Sequence, residues 1–146
     1  MKDTVFHIPV LYRVVAEWAA GSRRAVDATV GGGGHTALLR AAGAEVLAID
    51  RDPVALATAQ AALGSSGMTW LEAPFGSERA LDAVKAFRPD RILLDLGVSS
   101  HQLDDATRGF SFRPGAPLDM RMTPGKGARG ADVLNTWSEE RLEAAF

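Results

Sequence analysis

Apolar residues along the chain alternate between two rhythms. The stretch from Val10 to Ala20 sets Val10, Val14, Val15 and Trp18 at helical spacing, which predicts an opening helix that covers one end of a sheet. Four short apolar, β-branched runs follow, Ala25 to Val30, Glu45 to Asp50, Thr69 to Ala73 and Arg91 to Leu96, each bounded by glycine, proline or acidic residues; these predict strands. Between them the stretches Thr36 to Ala42, Pro53 to Leu63 and Ser77 to Phe87 are rich in alanine and leucine, and Pro53 suits a first helical turn. Strand and helix alternate, so the strands are expected to be parallel with right-handed crossovers, an α/β architecture of Rossmann-like type.

After Leu96 the rhythm is lost. From Gly97 to Gly130 the chain is rich in glycine, proline and charge, and a loop of that length inside a compact domain is usually functional. Thr136 and Glu139 have the spacing of a capping box, and Leu142, Ala145 and Phe146 begin an apolar helical face. No fifth strand is visible, although a doubly wound sheet normally continues on the far side of its first strand. The pattern therefore reads as the N-terminal half of such a fold, truncated before the closing strands, with residues 1–98 as the sheet domain and 99–146 as a loop and the start of a helical insert. A half-sheet leaves an edge and an apolar face uncovered, so association is expected.

Composition narrows the picture modestly. The chain has 146 residues with 16 basic and 18 acidic side chains, a formal charge of −2, so any attraction to a polyanion must be local. With no cysteine there is no disulfide framework or thiolate metal site. The start, MKDTVFHIPV, lacks a basic region followed by a long apolar core, and no apolar run reaches the roughly 18 residues a spanning helix needs. A cytoplasmic protein with no membrane partner is the expectation.

Candidate chemistry begins at Gly31-Gly32-Gly33-Gly34, which follows the first strand and opens a helix, a place where backbone approaches a ligand closely. Gly32, Gly34 and Ala37 also satisfy the dinucleotide pattern G-x-G-x-x-[GA], so the loop alone does not choose a cofactor. Two acids sharpen the choice. Asp27 would oppose a pyrophosphate but could accept hydrogen bonds around a cationic amino-acid end, which favours S-adenosylmethionine over a nicotinamide dinucleotide. Asp50 ends the second strand, from which a carboxylate chelates the ribose hydroxyls of an adenosine. Asp52 reads as a helix N-cap before Pro53. His35 is open between packing on the loop and donating to a ligand. Phe75, after the third strand, either flanks an adenine or joins the core.

The fourth strand runs into Asp95-Leu96-Gly97-Val98-Ser99-Ser100, then Gln102-Leu103-Asp104-Asp105 and Arg108-Gly109-Phe110-Ser111-Phe112. With Asp27-Ala28-Thr29, the Gly32 to His35 loop, Asp50-Arg51-Asp52-Pro53 and Pro117-Leu118-Asp119-Met120-Arg121-Met122, this set closely resembles the bacterial small-subunit ribosomal RNA cytosine-N4 methyltransferase family, RsmH or MraW, over nearly the whole chain. One local departure is His101, where the family usually has proline. The resemblance implies S-adenosylmethionine-dependent methylation of a cytidine amine in the P-site region of 16S rRNA within the small ribosomal subunit, with a homodimer as an optional assembly. It also implies that Gly33, Gly34, His35, Asp50, Phe75, Asp95 and Gln102 line the cofactor site. Asp95, at a strand end facing the crevice, is the candidate catalytic group, orienting the cofactor and polarising the target amine. No metal is required, because a sulfonium methyl is already activated. In the loop from Arg108 to Met122, Arg108, Phe110, Phe112 and Arg113 have the composition of a surface for single-stranded RNA; the alternative is core phenylalanines with arginines paired internally to Asp104, Asp105 and Asp119.

Overall fold

The computed structural model describes residues 9–98 and 100–146, the side chains of residues 100 and 101 excepted. The first eight residues, Ser99 of the fourth-strand motif and the side chain of His101 thus lie outside the described residues. Two compact units divide the chain, one ending at Gly97 and the other running from Val98 to Phe146.

The first unit holds α1 (Tyr12–Ala19), β1 (Arg24–Asp27), α2 (Gly34–Ala41), β2 (Glu45–Asp50), α3 (Pro53–Leu63), β3 (Met68–Glu72), α4 (Glu78–Phe87) and β4 (Arg91–Leu93). The strands form one sheet of order β3-β2-β1-β4, and each neighbouring pair is parallel, as the alternation requires. Period-two alternation sends Ala25, Val46 and Ala48 to one face, where they pack with Leu39, Leu56 and Ala59 of α2 and α3. Val26, Leu47 and Ile49 go to the other face, against Ala80 of α4. Burial on both faces explains why the strand sequences read as nearly continuous apolar runs. The edge strand β4 is less covered: Ile92, and Leu94 just after the strand, are about half exposed, at 47% and 48%.

Local chemistry accounts for the helix starts. The Asp52 side chain accepts from the Val54 amide at 3.0 Å with Pro53 beside it, as expected of an N-cap, and Ser77 caps α4 by accepting from the Ala80 amide. The opening helix departs from its predicted role. It lies chiefly against α2 and buries Ala19 alone of its residues, while Val10, Val14 and Trp18 remain 60%, 59% and 38% exposed. Strands β1 and β4 are also shorter than predicted. Their last mutual backbone bond is from the Ala28 amide to the Leu93 carbonyl, while the Val30 amide still donates to the Ile49 carbonyl of β2 at 3.2 Å before the glycine loop begins.

The second unit is built from α5 (Ser100–Asp104), a 3-10 turn (Ala106–Arg108), α6 (Gly130–Thr136) and α7 (Glu139–Glu143). Residues 109–129 contain neither helix nor strand. They are nevertheless anchored, since the Met120 amide donates to the Arg108 carbonyl at 3.1 Å and the Gly130 amide to the Asp119 carbonyl at 2.8 Å. The capping box predicted at Thr136 and Glu139 is absent: Thr136 closes α6 by donating to the Asp132 carbonyl, and Ser138 caps α7. Asp132 instead boxes the start of α6 by accepting from the Arg129 amide. Leu142 is half-buried, but Phe146 at 99% exposure does not extend an apolar face. Among the described residues no helix is long and apolar enough to cross a membrane.

Candidate cofactor site at the carboxyl ends of the strands

The glycine loop turns directly out of β1. The Gly33 amide donates to the Val30 carbonyl at 2.8 Å, and Gly33 takes φ +84°, where an added Cβ would also stand 3.1 Å from the Ala59 Cβ and 3.2 Å from Leu63 Cδ1. Glycine is therefore demanded there by both backbone and packing. Gly34 opens α2, and a Cβ on it would press on the Pro9 ring at 3.2 Å. At Gly32, by contrast, a Cβ would meet nothing within 4 Å. The outer side of the loop is open.

Asp50 ends β2 in the half-buried class and is already oriented. One carboxylate oxygen accepts from the Gly31 amide at 2.9 Å and the other from the Asp52 amide at 2.8 Å. A carboxylate has about four acceptor positions, so each oxygen retains one for a further donor.

Asp27 has a different role from the one its charge suggested. It is fully buried at 0% exposure, where it accepts from the Thr36 hydroxyl at 2.6 Å and the Thr29 amide at 3.1 Å. Burial raises its pKa above the ordinary 3.8, opposed by these two bonds. Asp27 ties the first turn of α2 to the end of β1 and presents no oxygen to a ligand.

His35 and Asp95 meet across the same edge. His35 is 7% exposed; its Nε2–H donates to the Val10 carbonyl at 2.9 Å, and its Nδ1 lies 3.6 Å from an Asp95 carboxylate oxygen. Packing thus accounts for one side of the ring and the site for the other. The Asp95 amide donates to the Thr29 hydroxyl at 2.7 Å, which fixes the chain after β4 while its side chain remains 48% exposed. Phe75 follows β3 and is 46% exposed, so it is not a core residue.

The first unit accordingly gathers Gly33, Gly34, His35, Asp50, Phe75 and Asp95 along the carboxyl ends of four adjacent strands. Gln102, Arg108, Phe110, Phe112 and Arg113 belong to the second unit. There Gln102 is 7% exposed on α5, and the Arg108 guanidinium donates to the Met122 carbonyl at 2.8 Å and the Arg121 carbonyl at 3.4 Å. Phe110 is half-buried, Phe112 fully exposed, and Arg113 makes a 3.5 Å contact with Asp104. Arg121 pairs closely with Asp119 at 2.7 Å. Sequence reasoning missed Thr29 and Thr36, whose hydroxyls join β1 to β4 and to α2. The signal for Thr36 was a β-branched hydroxyl at the start of an alanine-rich helix.

A four-stranded parallel sheet with a glycine loop after β1, an acid at the end of β2 and a half-exposed acid after β4 defines a partial Rossmann-like α/β fold. The chain belongs to the MraW methylase family, whose model matches residues 4–146. It is similar to the Ribosomal RNA small subunit methyltransferase H of Gemmatimonas aurantiaca, 46% identical over 98% of this chain and 47% of that protein. The protein of the same name from Thiobacillus denitrificans is 49% identical over 93% of this chain and 45% of its own length, and that from Chlorobium phaeobacteroides is 39% identical over 100% and 49%. The chain spans about half the length of these curated relatives.

Proposed function

We propose that this chain is the cofactor-binding half of an enzyme that methylates the N4 amine of a cytidine in the P-site region of 16S rRNA, with S-adenosylmethionine as donor. The observation that carries the reading is the order of groups along the strand ends. Phe75 at β3, Asp50 at β2, the open loop at β1 and Asp95 at β4 span three strand spacings, about 14 Å, a length comparable to an extended adenosyl amino acid. Phe75 suits the adenine, and the spare acceptor positions of Asp50 suit the ribose hydroxyls.

When bound, the cofactor supplies a sulfonium-activated methyl group. A cytosine amine is a weak nucleophile because its lone pair is delocalised into the ring, so the protein must align it and accept a proton as the new bond forms. The exposed carboxylate of Asp95 serves as that acceptor, held by the Thr29 hydroxyl through its amide and faced by His35. In the second unit, exposed Phe112 and Arg113 suit contacts with unpaired RNA better than Arg108, whose guanidinium already holds backbone carbonyls. Self-association through the exposed edge of β4 is the reading for a second copy, tested by sedimentation equilibrium.

Calorimetry with S-adenosylmethionine tests the cofactor assignment: Asp50→Ala weakens binding by about 1–3 kcal/mol, the cost of unpaired ribose hydroxyls. Equal affinity in a folded variant would overturn it. Methylation of small ribosomal subunits by the full-length enzyme tests the reaction, and undiminished turnover by its Asp95→Asn form would remove Asp95 as proton acceptor.

A further inference from the structure

At the opposite end of the sheet, where the strands begin, the chain brings together Arg23 and Arg24 before and at the start of β1, Gly43 and Glu45 at the start of β2, and Arg88 and Asp90 before β4. These residues line one open pocket of about 530 Å³. The topology gathers them: the Glu45 amide donates to the Arg23 carbonyl at 2.9 Å and the Asp90 amide to the Arg24 carbonyl at 2.8 Å, so three strand entrances lie side by side.

Arg23, Arg24 and Arg88 face the carboxylates of Asp90 and Glu45 in this pocket, which leaves it one net positive charge. The Asp90 carboxylate is already occupied by the Ser22 hydroxyl and the amides of Arg23 and Arg24. Among the described residues the guanidinium groups of Arg23, Arg24 and Arg88 make no ion pair or hydrogen bond, whereas neighbouring Arg91 is held by the Trp18 carbonyl and stacks on the Trp18 ring. Three unengaged arginines on one edge of a chain whose formal charge is −2 need a reason. Arg88 adds a second. It caps α4 in the left-handed region at φ +51°, where glycine is the favoured residue. Backbone strain accepted in order to place a cation points to function rather than stability.

We propose that the Arg23–Arg24–Arg88 pocket is a second anchoring site for the RNA substrate, binding backbone phosphates at the end of the sheet remote from the cofactor. The inference rests on the ribosomal RNA reading above and extends it. Side chains on adjacent strand entrances stand about 5–10 Å apart, a separation suited to consecutive phosphates rather than to the oxygens of a single anion. Contacts of this kind give affinity and orientation without reading sequence, and register in the salt dependence of binding.

The test uses this chain, a fluorescein-labelled RNA hairpin and anisotropy titrations over a range of salt. Each phosphate neutralised contributes about 0.7–0.9 to the slope of log affinity against log salt. The triple variant Arg23→Gln, Arg24→Gln, Arg88→Gln should therefore flatten the slope by about 2 and weaken binding about tenfold or more at low salt, with S-adenosylmethionine affinity unchanged. Arg88→Gly separates function from architecture: it should weaken RNA binding while leaving Tm equal or higher. An unchanged slope in the triple variant, or an Arg88→Gly form that loses Tm and keeps RNA affinity, overturns the site and leaves the methyltransferase reading standing. Displacement of RNA by millimolar inorganic phosphate at constant ionic strength would make this a free-anion site and also overturn the proposal. Failure of the parent chain to bind RNA overturns it as well, while the cofactor titration judges the enzyme reading separately.

Discussion

Replacing Thr36 by valine removes one hydroxyl and little volume from a position that is 0% exposed. That hydroxyl donates at 2.6 Å to the Asp27 carboxylate, itself fully buried. A hydrogen bond to a charged group contributes about 1.5–3 kcal/mol and one to a neutral group about 0.5–1.5 kcal/mol, so the cost of the substitution depends on whether Asp27 is ionised. Burial holds the Asp27 pKa above 3.8, and the Thr36 bond works against that rise. The native state therefore keeps this proton to higher pH than the unfolded chain. Its contribution is fully present below the unfolded value and is lost as pH rises through the folded one. In Thr36→Val the folded value moves further up, so the loss extends over a wider range. Urea unfolding of parent and variant from below pH 3.8 upward, followed by tryptophan fluorescence, should show a stability difference of about 0.5–1.5 kcal/mol while Asp27 is protonated that grows toward about 1.5–3 kcal/mol as it ionises. Comparing the two proteins at each pH cancels the other titrating groups. In an Asp27→Asn background the same substitution should cost an amount independent of pH. A pH-independent difference in the parent background, or persistence of the pH dependence with Asn at position 27, would refute the clamp between β1 and α2.

Other consequences concern the loops and helix ends. Gly33→Ala places a side chain at φ +84° and 3.1 Å from the Ala59 Cβ; strain of about 1–2 kcal/mol and crowding of similar size should lower stability measurably by calorimetry and weaken S-adenosylmethionine binding. Gly109→Ala would drive a Cβ into the Asp119 amide nitrogen and the Pro117 carbonyl, both backbone, so amide exchange across residues 109–131 should lose protection, with a cost of about 3 kcal/mol or more. Asp132 is held at a pKa of about 2, first by the Arg129 side-chain hydrogen bond. The stability it lends α6 is present above its ordinary 3.8 and lost as pH falls toward 2. Helical chemical shifts of residues 130–136 should fade over that interval, and in Arg129→Ala they should fade at higher pH.

Much of the first unit is legible in the chain. The strand Glu45–Asp50 and the helix Pro53–Leu63 coincide with their sequence patterns, because the apolar run and the Asp52-Pro53 start act within a few residues. The opening helix misled because periodicity shows that a face is apolar but not whether anything covers it. Thr136 misled because cap spacing recurs by chance, and the neighbouring Ser138 and Asp132 supplied better-placed acceptors. In the candidate site the glycine loop, Asp50 and Asp95 are recognisable by position in the alternation. The burial of Asp27, the bridge from Thr29 to Asp95 and the use of Arg108 as a backbone brace are not.

Local patterns therefore specify which segments become strands and helices, that the strands run parallel, and which turn leaves β1 on glycine. These follow from side-chain periodicity and from the few conformations open to glycine and proline. Tertiary structure alone decides that an acid four residues before the loop is sealed inside as an anchor, and that His35 is shared between a carbonyl from position 10 and a carboxylate from position 95. It likewise decides that arginines from positions 23, 24 and 88 face one pocket. Desolvation and hydrogen bonding depend on neighbours in space, and those neighbours are set only when the strand order β3-β2-β1-β4 closes distant segments against one another.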